Sequence, residues 1–310
     1  MYNVERFIEK CLRSCIYQNI SSSEYEILVV NDGSTDNSLL IASQFEDKYS
    51  NIRIISQKNQ GLSVARNTGL GFAIGEYVWF LDSDDYISDN CLQGILNHLI
   101  NGIDLLQIQV RHVYEDGAPY KNLTPIVFPY GISGLDVLER GLLSVPAPFS
   151  IYRRQYLIDN DLRFTPGIYH EDCEFKPKAI YFAKKVASCD IICYNYLQRK
   201  TGSITSTFKV KRGDDLLFVM NSLISFCKHN AMSKKCKQTI YNLIGQLMNT
   251  LMSGLLSLNK TERQYLTFKI RNNKHIFRSL LLSNKNKYIM EGIVLSLNIE
   301  LGILLYRILK

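Results

Sequence analysis

An apolar run that ends in three carboxylates is the feature that most constrains the fold of this chain. The residues from Tyr77 to Leu81 favour a strand, and Asp82, Asp84 and Asp85 follow at once. A strand of this composition is typical of one covered on both faces. Ionised carboxylates at its end are costly to bury unless they bind or pair with a cation. Hard oxygen ligands two positions apart favour Mg²⁺ or Mn²⁺; a solvated turn that caps the next helix is the alternative.

The order of the predicted elements indicates an α/β fold. Apolar strands alternate with helical patterns along the first hundred residues, which predicts a Rossmann-like, mostly parallel central sheet with helices on both faces. Ligands bind such sheets at the carboxyl ends of the strands, so we expect the acidic turns at Asp32 and at 82–85 to share one crevice. The predicted elements are helices over 2–20, 63–74, 87–100 and 171–185, a helix that ends near Tyr49, and strands over 25–30, 52–56, 77–81, 104–114, 150–153 and 191–197.

From Lys209 onward the pattern changes to helices and the charge changes sign. Residues 1–208 contain 19 Lys+Arg against 24 Asp+Glu, whereas residues 209–310 contain 17 against 5. Such a basic appendage favours an anionic partner, and the lack of nucleic-acid-binding motifs favours a membrane surface over nucleic acid. The last helix lacks an unbroken apolar span of about 20 residues, so a buried bundle helix and an interfacial amphipathic helix remain alternatives. The predicted helices span 214–228, 235–258, 262–272 and 288–309.

The cysteine pattern and the first residues of the chain predict the cellular compartment of the protein. The eight cysteines are scattered without the CxxC spacing of a zinc ribbon, and polar Asn3 and charged Glu5 and Arg6 directly follow Met1. We therefore expect reduced, mostly buried thiols and no signal peptide. The predicted location is cytoplasmic, with a peripheral position on the inner face of the membrane if the basic region meets lipid.

Four motifs occur in order in the first part of the chain: Tyr2-Asn-Val-Glu5, Val30-Asn-Asp-Gly-Ser-Thr-Asp-Asn-Ser38, Asn59-Gln-Gly-Leu-Ser-Val-Ala-Arg-Asn67 and Leu81-Asp-Ser-Asp-Asp85. Together they resemble the motifs of family 2 glycosyltransferases, which include bacterial enzymes that build capsular and lipopolysaccharide sugars. Glu171-Asp172 and Arg199 with Ser203-Ile-Thr205 extend the resemblance to about residue 207. The resemblance implies a GT-A fold over residues 1–207, with a nucleotide-binding half over about 1–100 and an acceptor half over about 101–207, followed by a helical region over 208–310.

The resemblance implies a role for each matching residue at the donor site. Asp32 would accept from the N3–H of uracil with Tyr2 stacked near the base, although thymine or guanine also presents such a donor. Asp82 would contact the ribose or the metal, and Asp84 would hold Mn²⁺ or Mg²⁺ on the diphosphate. A helix cap at Asp32, a surface position for Arg66 and a solvated turn at Arg199 are the alternatives. The implied nucleotide-binding residues are Tyr2, Asn3, Glu5, Asp32, Arg66, Asp82, Arg199 and Ser203.

The acidic pair Glu171 and Asp172 would supply the general base. The base deprotonates the acceptor hydroxyl for in-line attack, and an inverting enzyme needs no covalent nucleophile. The family pattern favours Asp172, whereas two carboxylates that only stabilise a helix N-terminus are the alternative. We interpret His170 as an ordinary loop histidine rather than a metal or phosphate ligand.

The expected function is metal-dependent transfer of a sugar from a nucleotide-sugar donor, with a UDP-linked donor expected, to a hydroxyl of a glycan or lipid-linked acceptor in surface polysaccharide synthesis. A sugar nucleotidyltransferase would show a Gly-rich phosphate loop, which the sequence lacks. Family members also begin with an apolar strand ahead of the Tyr-Asn pair, and this chain starts at Met1. Because loss of a central strand would expose two strand edges, we expect about ten further residues upstream. An inactive nucleotide-binding or scaffold protein is the alternative.

Overall fold

The computed structural model describes residues 1–115, 119–122, 127–199 and 208–308. The chain forms two compact units: unit 1 contains Met1–Gly134, Ser144–Gly167 and Phe182–Thr201, and unit 2 contains Leu135–Leu143, Ile168–Tyr181 and Gly202–Lys310. The domain boundary expected near residue 207 stays a prediction.

The described elements alternate in the first part of the chain and become helical in the last. The strands are β1 Ile27–Asn31, β2 Ile52–Ser56, β3 Tyr77–Trp79, β4 Tyr86–Ile87, β5 Leu105–Tyr114, β6 Pro119–Asn122, β7 Ser150–Arg153 and β8 Val186–Gln198. The helices are α1 Ile8–Ile16, α2 Ser38–Glu46, α3 Leu62–Phe72, α4 Leu92–Leu96, α5 Gly134–Glu139, α6 Arg154–Asp159, α7 Glu171–Phe182, α8 Val210–His229, α9 Lys234–Leu255, α10 Lys260–Asn272, α11 Lys274–Leu280, α12 Asn286–Leu297 and α13 Ile299–Ile308; a 3₁₀ turn spans Ala147–Phe149.

A two-stranded parallel sheet in unit 1 is formed by β1 and β2, with Ile27 opposite Ile52. Buried residues of α1 and α2 pack against it, because the apolar positions of α1 recur at helical spacing. The backbone of Met1 lies along β1: its amine donates to the carbonyl oxygen of Val30 at 2.8 Å, and its carbonyl oxygen accepts from the Asp32 amide at 2.9 Å. The carboxyl end of β1 thereby leads directly into the first acidic turn.

The second sheet of unit 1 has six strands in the order β3-β7-β5-β8-β4, with β6 on β5. The α/β class with a helical C-terminal region is confirmed, but this sheet is mixed. Among the described strand pairs, β1–β2 and β5–β8 are parallel and the other four are antiparallel. The reason is that β7 enters between β3 and β5 in the opposite direction, with Val78 opposite Tyr152.

Aromatic packing holds the end of β3, which is shorter than the sequence predicts. The indole of Trp79 donates to the Pro148 carbonyl at 2.7 Å. Phe80 is buried and meets the Phe164 ring edge-on at 5.0 Å between centroids. Residues 80–81 therefore leave the strand ladder while remaining packed, and Asp82 begins a turn at a fixed position.

Unit 2 is helical, and its last segment differs from the single helix expected over 288–309. The chain breaks between α12 and α13 at Asn298, whose backbone is extended at φ −154° and ψ 115°. The Asn298 side chain accepts from the Glu300 amide at 2.9 Å, which favours a new helix start over continuation. In the described part of the chain, no helix combines the length and the hydropathy needed to cross a membrane.

Candidate functional site

Each of the three carboxylates in the turn after β3 has a different partner. The Asp85 amide donates to the Asp82 carbonyl oxygen at 3.0 Å and closes the turn. Asp82 lies 2.7 Å from a guanidinium nitrogen of Arg66, and Asp84 lies 2.5 Å from one of Arg199. The sequence predicted this acidic turn, and only the fold reveals which cation faces each carboxylate.

Arg66 lies on α3 and is largely buried rather than placed on the surface of that helix. Its side chain is 9% exposed, and its guanidinium lies 5.1 Å from the centre of the Phe164 ring. A planar guanidinium that stacks on an aromatic ring and pairs with a carboxylate is held in one orientation. Arg66 therefore presents a fixed positive charge beside Asp82.

Arg199, directly after β8, is also withdrawn from solvent. Its side chain is 18% exposed, and its guanidinium lies 5.3 Å from the centre of the Phe7 ring. Burial raises the pKa of Asp84 and the neighbouring Asp82 raises it further, whereas Arg199 opposes the shift. Two like charges in a partly buried turn are stabilised by added positive charge, which is the environment that a divalent cation supplies.

Asp85 is the member of the turn whose role sequence reasoning missed. Its carboxylate is buried and accepts from the Tyr194 hydroxyl at 2.5 Å and from the Leu197 amide at 2.7 Å. Burial raises the pKa of Asp85 to about 8, with further contributions from Asp82 and Asp84. Asp85 therefore ties the turn to β8, and the only sequence signal was a third acid next to the expected ligands.

Asp32 lies at the end of β1 and contacts the loop that precedes α3. One oxygen accepts from the Gln57 side chain at 2.7 Å and the Gln60 amide at 2.9 Å, and the other accepts from the Gly61 amide at 2.8 Å. The local turn is closed by Asn31 instead, whose side chain accepts from the Ser34 amide at 3.0 Å. Asp32 thus holds the second and third motifs together rather than capping α2.

Gly33 allows these two motifs to approach. Its φ is +74°, and a Cβ added there would lie 2.9 Å from the backbone nitrogen of Asn59. A non-glycine residue at this position would be strained and would push the 57–61 loop away from Asp32.

Helix α3 relates the first acidic turn to the second. The Gly61 amide, directly before α3, donates to Asp32 at 2.8 Å, and Arg66 on α3 lies 2.7 Å from Asp82. Five residues of a helix span only about 7.5 Å. Both acidic turns therefore lie near the N-terminal end of α3.

Asn3 and Glu5 form a reciprocal network with the 34–37 segment. The Asn3 side chain accepts from the Thr35 amide at 2.8 Å, and the Glu5 carboxylate accepts from the Asn37 amide at 2.9 Å. In return, the Asp36 carboxylate accepts from the Glu5 amide at 3.0 Å. These bonds hold residues 3–5 outside a helix, which is why α1 begins at Ile8 rather than at Tyr2. Their expected contact with nucleotide stays a prediction.

Tyr2 and Ser203 are the other two residues expected at the donor site. Tyr2 is 48% exposed, so its ring is accessible for stacking. Ser203, and with it the rest of 200–207, lies outside the described residues.

The acidic pair of unit 2 lies at the N-terminus of α7. Glu171 is buried, and the Asp172 carboxylate accepts from the Cys173 amide at 2.7 Å. One turn later, Lys176 is fully buried; burial lowers the pKa of its amine to about 7, and the nearby Asp172 carboxylate opposes the shift. Sequence reasoning missed Lys176, although its spacing of four positions from Asp172 on a helix was a signal.

His170 precedes this pair in a left-handed conformation, with φ at 62°. Its Nε2 accepts from the Arg212 guanidinium at 3.0 Å. Burial lowers the pKa of His170 to about 4, and Arg212 lowers it further. A neutral histidine that accepts from an arginine orients the start of α7, in line with its interpretation as a loop residue.

The family model for "Glycosyl transferase family 2" matches residues 1–160, which is more than half of the chain. The chain belongs to glycosyl transferase family 2. The matched residues include all four motifs that meet around the acidic turns of unit 1.

Several curated proteins are similar to this family 2 glycosyltransferase. "Uncharacterized glycosyltransferase YibD" of Escherichia coli is 29% identical over 65% of this chain and 60% of its own length. "Cholesterol galactosyltransferase" of Borreliella burgdorferi is 28% identical over 77% of this chain and 69% of its own length. "Poly(ribitol-phosphate) beta-N-acetylglucosaminyltransferase TarS" of Staphylococcus aureus is 30% identical over 69% of this chain and 37% of its own length. The matched region thus spans less than two thirds of the E. coli and S. aureus proteins.

Solved structures give the fold of this family 2 glycosyltransferase. S. aureus TarS 1–349 in complex with UDP-GlcNAc superposes with a TM-score of 0.78 at 22% identity, over 99% of this chain and 87% of that one. Mannosyltransferase PcManGT from Pyrobaculum calidifontis, in complex with GDP-Man and Mn²⁺, gives a TM-score of 0.53 at 12% identity, over 97% and 86%. The fold is the GT-A α/β fold of TarS, followed by a helical C-terminal region.

Proposed function

We propose that this glycosyltransferase moves a sugar from a UDP-linked donor to a hydroxyl of a glycan or lipid-linked acceptor, with a divalent cation and with inversion at the anomeric carbon. The observation that carries the proposal is the turn after β3, where Asp82 and Asp84 each face a largely buried arginine. Asp32 accepts from the Gly61 amide, directly before the helix that contains Arg66. Carboxylates for a cation and arginines for phosphate are the groups that bind a nucleoside diphosphate.

Asp32 supports uracil as the base of the donor. A carboxylate offers about four lone-pair sites, and three donors from 57–61 contact this one. The remaining site suits a ring N–H donor such as N3–H of uracil. Guanine offers such a donor too, but the structural similarity is greater to TarS bound to UDP-GlcNAc than to PcManGT bound to GDP-Man.

The turn after β3 fits a divalent cation. Burial and the Asp82 charge raise the pKa of Asp84, and an added positive charge would favour the ionised form of this carboxylate. Asp84, with Asp82, would hold Mn²⁺ or Mg²⁺, the hard cations that carboxylates prefer. When bound, the cation neutralises the charge that develops on the departing diphosphate. Arg66 and Arg199, which face this turn, would contact the donor phosphates and the ribose.

Asp172 is the proposed general base, with Glu171 as its neighbour. Asp172 lies at the first turn of α7, and the nearby buried amine of Lys176 favours its ionised form. An ionised carboxylate can remove the proton of an acceptor hydroxyl as the hydroxyl oxygen attacks the anomeric carbon.

A donor screen tests the proposal. We expect Mn²⁺-dependent release of UDP from at least one UDP-sugar and a fall of roughly 100-fold or more in that release for Asp84→Asn. Asp89→Asn, an exposed change five positions later, is the matched control and should leave the rate unchanged. Formation of pyrophosphate from UTP and a sugar 1-phosphate would indicate a nucleotidyltransferase, and donor binding without any turnover would indicate a scaffold; either result contradicts the proposal.

We place the reaction at the inner face of the cytoplasmic membrane, with a lipid-linked acceptor. The last two helices expose apolar side chains, among them Met290 at 58% and Leu297 at 78%, within the strongly basic region. Exposed apolar residues flanked by lysines bind anionic lipid surfaces. Changing Lys285 and Lys287 to Gln should weaken binding to anionic vesicles, whereas changing Lys48 and Lys58 of unit 1 should not. Equal binding of the two double variants would rule out this location.

A further inference from the structure

Three potential metal ligands converge in unit 1 at a place that the proposed transfer reaction does not use. One ligand atom each from His98, Cys189 and Asp190 lies within 4.8 Å of the others. Cys189 is fully buried, whereas the side chains of His98 and Asp190 are 29% and 84% exposed. A thiol at the base and two groups at the rim form a site that is open to ions from solvent.

A bulge in β8 brings two consecutive residues to the same point. Adjacent residues of a regular strand face opposite sides of the sheet, so Cys189 and Asp190 should point apart. Gln107 of β5 pairs with Ser188 of β8, and Gln109 of β5 pairs with Ile192 of β8. An advance of two residues on β5 therefore corresponds to an advance of four on β8, which leaves two additional residues on β8. The Gln109 side chain donates to the Cys189 carbonyl at 2.9 Å and stabilises this bulge. Bulges that re-aim side chains in this way recur at functional sites.

His98 is oriented as a ligand by the backbone of α4. Its Nδ1 lies 2.8 Å from the carbonyl oxygen of Gly94. A carbonyl oxygen only accepts hydrogen bonds, so Nδ1 carries the proton and the neutral ring keeps the lone pair of Nε2. That Nε2 lies 3.8 Å from the Asp190 carboxylate. A histidine whose second nitrogen donates to a backbone carbonyl is the usual arrangement around protein-bound zinc.

Two further thiols adjoin the cluster. Cys91 and Cys193 belong to the same cluster of buried side chains as Cys189. The Cys193 thiol donates to the Ile191 carbonyl oxygen at 3.3 Å, and the Ile191 amide donates to Cys189 Sγ at 3.4 Å. Thiol and imidazole ligands favour zinc and similar cations, whereas the all-oxygen set of Asp82 and Asp84 favours magnesium and manganese. The two sites therefore differ in the kind of metal that each would bind.

We propose that His98 Nε2, Cys189 Sγ and the Asp190 carboxylate bind Zn²⁺ or a similar soft divalent cation, with Cys193 next to them. At a tetrahedral angle, Zn–S and Zn–N bonds of about 2.3 and 2.1 Å place the two ligand atoms roughly 3.6 Å apart. The rim side chains thus need to move by roughly 1 Å. Binding releases the proton of the Cys189 thiol to solvent as the Zn–S bond forms. The ion would join the bulge of β8 to the segment after α4, independently of sugar transfer.

Titration of the purified, reduced chain with Co²⁺ tests the proposal, because thiolate-to-cobalt charge transfer gives an absorption band that an all-oxygen site cannot give. We expect this band at one equivalent and its displacement by Zn²⁺. His98→Gln and Asp190→Asn, both at accessible positions, should weaken Co²⁺ binding at least tenfold. Cys189→Ser should abolish the band, and its chain can be checked for folding by circular dichroism.

The matched controls are His229→Gln and Asp47→Asn, an exposed histidine and an exposed aspartate outside the cluster. Both should bind Co²⁺ as the unaltered chain does. No charge-transfer band in the unaltered chain, or equal affinity in His98→Gln, Asp190→Asn and the controls, would overturn the site. A disulfide between Cys189 and Cys193 that persists without reductant, with no bound zinc by elemental analysis, would overturn it as well.

Discussion

The hydroxyl of Tyr194 donates a hydrogen bond to the Asp85 carboxylate at 2.5 Å, between residues 109 positions apart in the chain. The Leu197 amide donates to the other oxygen of the same carboxylate at 2.7 Å. Strand β8 therefore holds the third acid of the turn after β3, and it also leads into Arg199. One strand thus fixes the turn and delivers the arginine that faces Asp84.

Removing the Tyr194 hydroxyl should destabilise the chain. Tyr194→Phe leaves one oxygen of the buried Asp85 without its side-chain donor, and loss of a partner for a buried carboxylate costs about 1–3 kcal/mol. We expect the free energy of unfolding in urea to fall by that amount. Tyr17→Phe, at a ring that is 56% exposed, should change it little. Equal stability of the two variants would contradict an anchoring role for Asp85.

Replacing Arg66 by Lys should weaken donor binding while the charge is kept. The lysine loses the planar group that stacks on Phe164 and pairs with Asp82. We expect the KM for the UDP-sugar to rise about tenfold, or about 1.4 kcal/mol. Arg53→Lys is a close control, because Arg53 also lies over a phenylalanine ring, that of Phe72, at 5.8 Å. A KM that rises equally in both variants would contradict a specific role of Arg66 in donor binding.

Neutralising Asp172 should slow transfer without loss of donor binding. Asp172→Asn removes the proposed base, and loss of a general base lowers rates by about 10²–10⁴-fold. We expect kcat for transfer to fall in that range while UDP binding by calorimetry stays unchanged. Glu171→Gln is the comparison, since both acids share the first turn of α7. A greater fall in kcat for Glu171→Gln would reassign the base to Glu171.

The buried amine of Lys176 should make stability depend on pH. Burial lowers its folded pKa to about 7, below the ordinary value of about 10.4. Between these values the unfolded chain binds one more proton, so the free energy of unfolding should rise as pH increases from about 7 to about 10. The stability gained over this range is fully lost once the pH has fallen through the folded pKa, because both the folded and the unfolded chain then bind the proton.

Lys176→Met removes the titrating group and should flatten this rise, which urea unfolding at several pH values would measure. Lys234→Met, at an exposed position of α9, should leave the pH profile unchanged. Identical slopes for Lys176→Met and the unaltered chain would show that Lys176 is not the group responsible.

Local chemical patterns predicted several elements of the chain because they need no distant partner. The strand over 150–153 agrees with β7, and the expected strand over 104–114 differs from β5 by one residue. Hydrophobic period predicts such elements wherever one face is buried. Hydrophobic period did not predict the break between α12 and α13, where the Asn298 side chain bonds to the backbone of the next helix. It also placed the start of the first helix too early, because residues 3–5 are hydrogen-bonded to residues 34–37.

The sequence by itself determined the acidic turns, their order and the family to which the chain belongs, because these are properties of short segments. Only the tertiary structure decided that Arg199 faces Asp84, that Tyr194 holds Asp85, and that Cys189 and Asp190 meet His98. The physical reason is strand register, since a shift of one residue turns every side chain of a strand to the other face. The pairing of β5 with β8 and the bulge at 189–191 fix that register, and both arise from contacts between segments far apart in the chain.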